Sequence, residues 1–265
     1  ALELAPYACQ SYSGAGCMLA GSLYERGIGA SVDLAMAQSF FHRACAHRTA
    51  AGCEALARRL GGELATDLWA VGKRLRKQAC REGSASDCVT FGVYLHRGLG
   101  GEAAVEAAAT VYAVACEAGE AEGCLHAGQL WATGSGVEVS YDRAHAFFHR
   151  GCELENNDAC AWEGLGYHLG RGATQDIARA AAIYERTCAD GSAFGCVGMG
   201  KLYERGDGRP ASSVKARMFF DQACAAGVKQ GRAKGVGPCA GVDYQQPQEV
   251  RGRGRRRRHE PIEDV

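Results

Sequence analysis

Cysteine carries most of the chemistry this sequence could perform, with 14 thiols in 265 residues. Seven of them recur with a step of 35 or 36 residues, at Cys9, Cys45, Cys80, Cys116, Cys152, Cys188 and Cys224. Six have a partner eight positions on: Cys17, Cys53, Cys88, Cys124, Cys160 and Cys196. Zinc sites usually place two cysteines about two to four residues apart, with a second pair nearby. The spacing here does not supply that, whereas one local bridge per period suits a scaffold made in an oxidising compartment. The expected bridges are 9–17, 45–53, 80–88, 116–124, 152–160 and 188–196. Arg232 stands where a partner for Cys224 is due and Cys239 follows seven residues late, so these two are expected to pair weakly or to stay free.

Three other patterns could carry chemistry. Ser212-Ser213-Val214-Lys215 matches the Ser-x-x-Lys of serine β-lactamases and penicillin-binding enzymes. No Ser-Asp-Asn or Lys-Thr-Gly accompanies it, and it falls at an expected helix start, where serine caps backbone N–H groups. Ser212 and Lys215 are therefore weak catalytic candidates. His145 and His149, at i and i+4, could share a metal on one helix face. The second position is His42, Glu185 or Asp221 in other periods, which marks an exposed polar site instead. The repeated Gly-x-Gly follows helices rather than strands, so it reads as a turn and not a phosphate loop. No metal or cofactor is expected.

The elements that position these residues follow from the same period. Four residues after each second cysteine comes Gly21, Gly92, Gly128, Gly164 or Gly200, with Ala57 in the second unit. Three residues later stands a large side chain: Tyr24, Leu60, Leu95, Trp131, Tyr167 or Tyr203. A Gly-x-Gly follows, then a stretch carrying Ala37, Ala108, Ala144, Ala180 or Ala216 and bulky pairs such as Phe40-Phe41. Each unit reads as helix A, a glycine turn, helix B and a short loop. Small residues let the two backbones approach, and positive-φ glycine ends helix A. The fold class is all-α, a right-handed superhelix of αα-hairpins with one disulfide per repeat.

Segments such as GSLYERGIGASVDLAMAQSFFHRAC and GKLYERGDGRPASSVKARMFFDQAC resemble the Sel-one-like repeats, relatives of the tetratricopeptide repeats, over about residues 7–230. A cysteine pair in every unit is similar to the Helicobacter cysteine-rich proteins. The second unit, GGELATDLWAVGKRLRKQAC, lacks the Gly-x-Gly and is one residue short, so a kink or repacked turn is expected there. The resemblance implies an adaptor that binds a peptide or protein. As a second reading it implies a penicillin-binding protein or weak β-lactamase, since members of the cysteine-rich family are so described, but no nucleophile in the sequence comes with a positioned base. A redox or assembly factor of the mitochondrial intermembrane space is a third reading. In related solenoids helix A lines the concave side, which makes Arg26, His96, Arg97, His168 and Arg205 groove candidates.

Charge and composition set the remaining expectations. Basic and acidic residues balance at 30 each, so the chain as a whole offers no net field for nucleic acid. No apolar run is long enough to span a bilayer. The start at Ala1 reads as a processed or truncated terminus, and residues 1–9 as the end of a helix B. Residues 1–240 are taken as the solenoid of six units with partial ends. Residues 241–265 are taken as a disordered tail, with six arginines against three acids in 251–265. The expected protein is monomeric and secreted or periplasmic.

Overall fold

The computed structural model describes Cys9 and residues 13–29 and 31–229, which form twelve α-helices with no strand among them. They pair into six hairpins. Unit 1 comprises α1 (Gly14–Arg26) and α2 (Leu34–Ala46), unit 2 α3 (Ala50–Leu60) and α4 (Gly62–Arg81), unit 3 α5 (Ala85–Arg97) and α6 (Val105–Glu117). Unit 4 comprises α7 (Ala121–Thr133) and α8 (Tyr141–Glu153), unit 5 α9 (Asn157–Leu169) and α10 (Ile177–Ala189), unit 6 α11 (Ala193–Arg205) and α12 (Ser213–Lys229). Each helix packs on its neighbours in sequence, as in an αα-solenoid. The expected end of the solenoid at residue 240, the tail 241–265 and the segment 1–8 lie outside the described residues.

Local signals fix the helix ends. Ser13, Asp33, Ser84, Ser140, Asn156, Asp176 and Ser192 each accept a hydrogen bond from the backbone N–H three residues on. These side chains satisfy donors that the first helical turn leaves free. Helix A ends in a left-handed glycine at Gly27, Gly98, Gly134, Gly170 and Gly206, each returning its N–H to a carbonyl of the last turn.

Packing inside a unit rests on one recurring pair. A Cβ built on Gly21 would lie 2.5 Å from Phe41, and one on Gly128 would lie 2.5 Å from Phe148. Gly92 faces Tyr112, Gly164 faces Tyr184 and Gly200 faces Phe220 in the same way. An aromatic ring of helix B thus lies directly on the helix A backbone, and truncating such a ring to alanine costs about 3–5 kcal/mol.

Six disulfides hold the joints, at 9–17, 45–53, 80–88, 116–124, 152–160 and 188–196, with Cα separations of 4.3 to 4.6 Å. From 45–53 onward each ties the end of one helix B to the next helix A. A closed loop of this size contributes about 2.5 kcal/mol in the chain-entropy model. Cys224 is also disulfide-bonded, which corrects the alternative of a free thiol; Cys239 lies outside the described residues.

Unit 2 departs from the plan. Elsewhere seven residues separate helix A from helix B; here Gly61 alone does, with φ 64° and ψ 177°. The residues that would form the turn have wound onto helix B, so α4 runs for 20 residues against 13 in α2, α6, α8 and α10. The repacked turn expected from the sequence takes this form.

Candidate functional site

The Ser-x-x-Lys motif is a helix start. Ser212 Oγ accepts the Lys215 N–H at 3.3 Å, and its carbonyl accepts the Ala216 N–H at 2.9 Å. The Lys215 ammonium points over the Tyr203 ring, 5.2 Å from its centre. The two catalytic candidates therefore do structural work, and no base lies against Ser212 among the described residues.

His145 and His149 also part company. His149 accompanies buried Glu163, with Nδ1 3.0 Å from Oε1, and Glu153 at 3.5 Å. His145 turns inward, edge-on to Tyr167 at 5.0 Å between centroids, into space left by Gly166. Other units place Leu23, Tyr94, Leu130 or Leu202 at that position. The resulting cavity of about 30 Å³ is walled by Tyr141, Phe148 and Trp162. Burial holds His145 below the ordinary histidine range. No group of three metal-ligating side chains exists among the described residues.

Of the five groove candidates, Arg26, His96, Arg97 and Arg205 are exposed at helix A ends. None of the three arginines has an ion-pair partner among the described residues. Partial desolvation, followed by His126 and Arg97, lowers the pKa of His96. His168 is a correction. It is 4% exposed, because the turn of unit 6 reaches back and sets the Asp207 carboxylate 2.9 Å from its Nε2. It belongs to the joint and not to a ligand surface.

Two arrangements escaped the sequence reading. The first is a cation–π series at equivalent positions of the last three units: Arg143 over Trp131 at 4.5 Å, Arg179 over Tyr167 at 4.1 Å and Lys215 over Tyr203. Its signal was available, as a basic residue three positions after each helix B cap. The second is a charge cluster in unit 2. Arg76 stands where other units put Phe41, Tyr112, Phe148, Tyr184 and Phe220. Its Nε lies 2.7 Å from Glu54 and its Nη1 2.6 Å from Asp87, which also accepts from Ser84 Oγ at 2.6 Å. Glu54 is 8% exposed and occupies a position that is apolar in every other unit.

Burial alone would lower the pKa of Arg76, but hydrogen bonds to Glu54 and Asp87 hold it above its ordinary value. Burial would raise that of Asp87, and the bonds from Ser84 and Arg76 reverse the direction. Burial, then the charge of Glu54, raises the pKa of Tyr94, whose hydroxyl has no hydrogen bond of good geometry. Burial likewise pushes Tyr112 up to about 12. These phenols stay protonated and act as packing.

Hairpins of this kind, bridged at each joint, define an αα-repeat solenoid. The Sel1 repeat model matches residues 14–47, 121–156, 163–192 and 193–228, just over half of the chain. The chain belongs to the Sel1 repeat family. Among solved structures it is similar to c5321, a protective antigen of uropathogenic Escherichia coli with an SLR fold, at 23% identity and TM-score 0.65. That alignment covers 90% of this chain and 54% of the antigen, so the chain spans about half the antigen's length. It is also similar to a Sel1 repeat protein from Oxalobacter formigenes, at 20% identity and TM-score 0.65, covering 80% of this chain and 85% of the other. No curated protein aligns with it.

Proposed function

We propose that the chain is a rigid scaffold of an oxidising, extracytoplasmic compartment that holds an extended peptide or protein segment along its helix A face. The observation that carries this reading is the stack itself: six hairpins, each joint bridged, presenting Arg26, Arg97 and Arg205 at equivalent positions with no ion-pair partner among the described residues. Hairpins stacked with a small rotation curve into one long concave surface. Bridged joints reduce the ordering entropy lost on binding. Spaced guanidinium groups suit the carboxylates and carbonyls of an extended ligand. The bridges support the compartment, since such pairs persist where thiols are oxidised. Among the described residues no helix is long and apolar enough to cross a membrane.

The test is affinity capture with the oxidised protein, then calorimetry of the identified ligand against wild type and Arg97→Ala/Arg205→Ala. Each exposed charged contact contributes about 0.2–1 kcal/mol, so the double variant is expected to bind several-fold more weakly. Unchanged affinity removes the helix A face from the account.

A further inference from the structure

The shortened turn of unit 2 leaves a surface that no other joint leaves. In the regular units the second turn glycine lies against the start of the preceding helix B: Gly136 on Val105, Gly172 on Tyr141 and Gly208 on Ile177. The equivalent position ahead of unit 2 is Leu34, which is 54% exposed. Beside it runs an open groove of about 520 Å³. Ala35 and His42 of α2 form one wall, Leu56 and Leu60 of α3 the floor, and Leu64 and Leu68 of α4 the other wall. Leu64 sits on the extra helical turns and is 58% exposed.

We propose that this groove docks an amphipathic helix of a partner protein, with an aliphatic stripe at i, i+4 spacing and lysine or arginine beside it. Three observations carry this. Leu56 and Leu60 are one helical turn apart, as are Leu64 and Leu68, so two parallel ridges bound a channel that a third helix ridge can enter. Leu34 and Leu64, 54% and 58% exposed, leave apolar surface beside the groove open to solvent. The rim supplies a sign: Glu63 and Asp67, also i and i+4, stand on the solvent side of the leucine stripe and form no ion pair among the described residues. On α3, Arg59, which precedes Leu60 in sequence, is held by Glu25. The facing wall carries no carboxylate, with Gln38, Ser39 and His42 exposed. Aliphatic floor and unpaired acids together select an aliphatic stripe with basic flanks, as in other helix-in-groove recognition. This site is separate from the helix A face and stands or falls independently of it.

The probe is an acetylated, amidated and fluorescein-labelled helical peptide of about 14 residues, with leucines on one stripe and lysines beside it. A matched peptide carries glutamates in place of the lysines. Anisotropy titrations use the full oxidised chain. The lysine peptide is expected to saturate, and the glutamate peptide to bind at least about tenfold more weakly. Leu64→Ser/Leu68→Ser should weaken the lysine peptide about tenfold, and Glu63→Lys/Asp67→Lys should reverse the preference between the two peptides. Arg97→Ala/Arg205→Ala should change neither, and circular dichroism checks that every variant stays helical. Equal binding of both peptides, no saturable binding, or no reversal in the charge-swapped variant overturns the proposal. It is also overturned if sedimentation equilibrium shows a dimer that Leu64→Ser dissociates, since a second copy is then the occupant.

Discussion

Units 2 and 4 have the same architecture and near-equal length, yet they fill the space between their helices by opposite means. In unit 4 the Phe148 ring lies on Gly128 and stacks on Trp162 of the next unit at 5.2 Å. In unit 2 the glycine is Ala57 and the ring is Arg76, whose guanidinium bridges Glu54 and Asp87 across the joint to unit 3. The turn has gone as well, and the Sel1 repeat model passes over residues 48–120. The same helical frame thus tolerates a dry aromatic contact or a partly buried ion cluster. The difference teaches what each is for. An aromatic on glycine contributes stability directly, whereas ions taken out of water often do little more than offset their own desolvation.

The largest expected effect tests that contrast. Phe148→Ala should lose about 3–5 kcal/mol in urea unfolding of the oxidised protein. Arg76→Ala should lose about 2 kcal/mol, because it strands Glu54 with its charge but leaves partial access to water. Converting unit 2 to the regular pattern is the sharper experiment. Glu54→Val/Ala57→Gly/Arg76→Phe/Asp87→Ala takes residues that stand at the equivalent positions elsewhere in the stack, Val89, Gly128, Phe148 and Ala159, and should come within about 1 kcal/mol of wild type or exceed it. A loss above about 3 kcal/mol would show that the cluster is a net stabiliser and sink the comparison.

A smaller effect concerns the backbone under the ring. Gly128→Ala puts a methyl 2.5 Å from Phe148 Cε1, in a ring that is also stacked on Trp162 and so has little room to move. Overpacking of this kind should cost about 1–3 kcal/mol despite the better helix propensity of alanine. In unit 2 the register puts Arg76 where the other units carry the ring, so Ala57→Gly should lose the propensity term of about 1 kcal/mol and about 0.8 kcal/mol for its buried methyl. No loss from Gly128→Ala in thermal unfolding would mean that the ring is not the constraint.

Most of the frame was legible from the sequence because cysteine, glycine and the turn recur with one period, and a period transfers a reading from one unit to the next. The glycine turns, the positive-φ glycines that end helix A and the cap at Ser212 were all readable in this way. The charge cluster was not read because its members are scattered at positions 54, 76 and 87, and only the register makes Arg76 an exception among aromatics. His168 was misplaced for a related reason. Its repeat position suggested an exposed helix end, but Asp207 arrives from the following unit, and the neighbouring turn decides burial. The lost Gly-x-Gly of unit 2 announced a repacked turn, but not that its residues would extend helix B and leave a groove beside Leu64.

The smallest effect concerns pH and separates the two halves of the ion cluster. The pKa of Asp87 lies below the ordinary carboxylate value, because the bonds from Ser84 and Arg76 outweigh its burial. A carboxyl with a depressed folded-state pKa stabilises the fold above its unfolded-state pKa, about 3.9. That contribution fades as pH falls through the folded-state value. Asp87→Asn should therefore lower the urea midpoint at pH 7 and at pH 5 by the same amount, equivalent to about 1 kcal/mol for a partly exposed pair. The gap should begin to close below about pH 4 and vanish once pH lies below the folded-state value. The matching substitution in unit 4, Gly123→Asn, creates no such pH-dependent difference, since Gly123 packs on Ala115 and carries no charge in wild type. A gap between wild type and Asp87→Asn that persists to pH 2 would mean that the aspartate acts through packing or helix capping, and the ion cluster would reduce to Arg76 and Glu54.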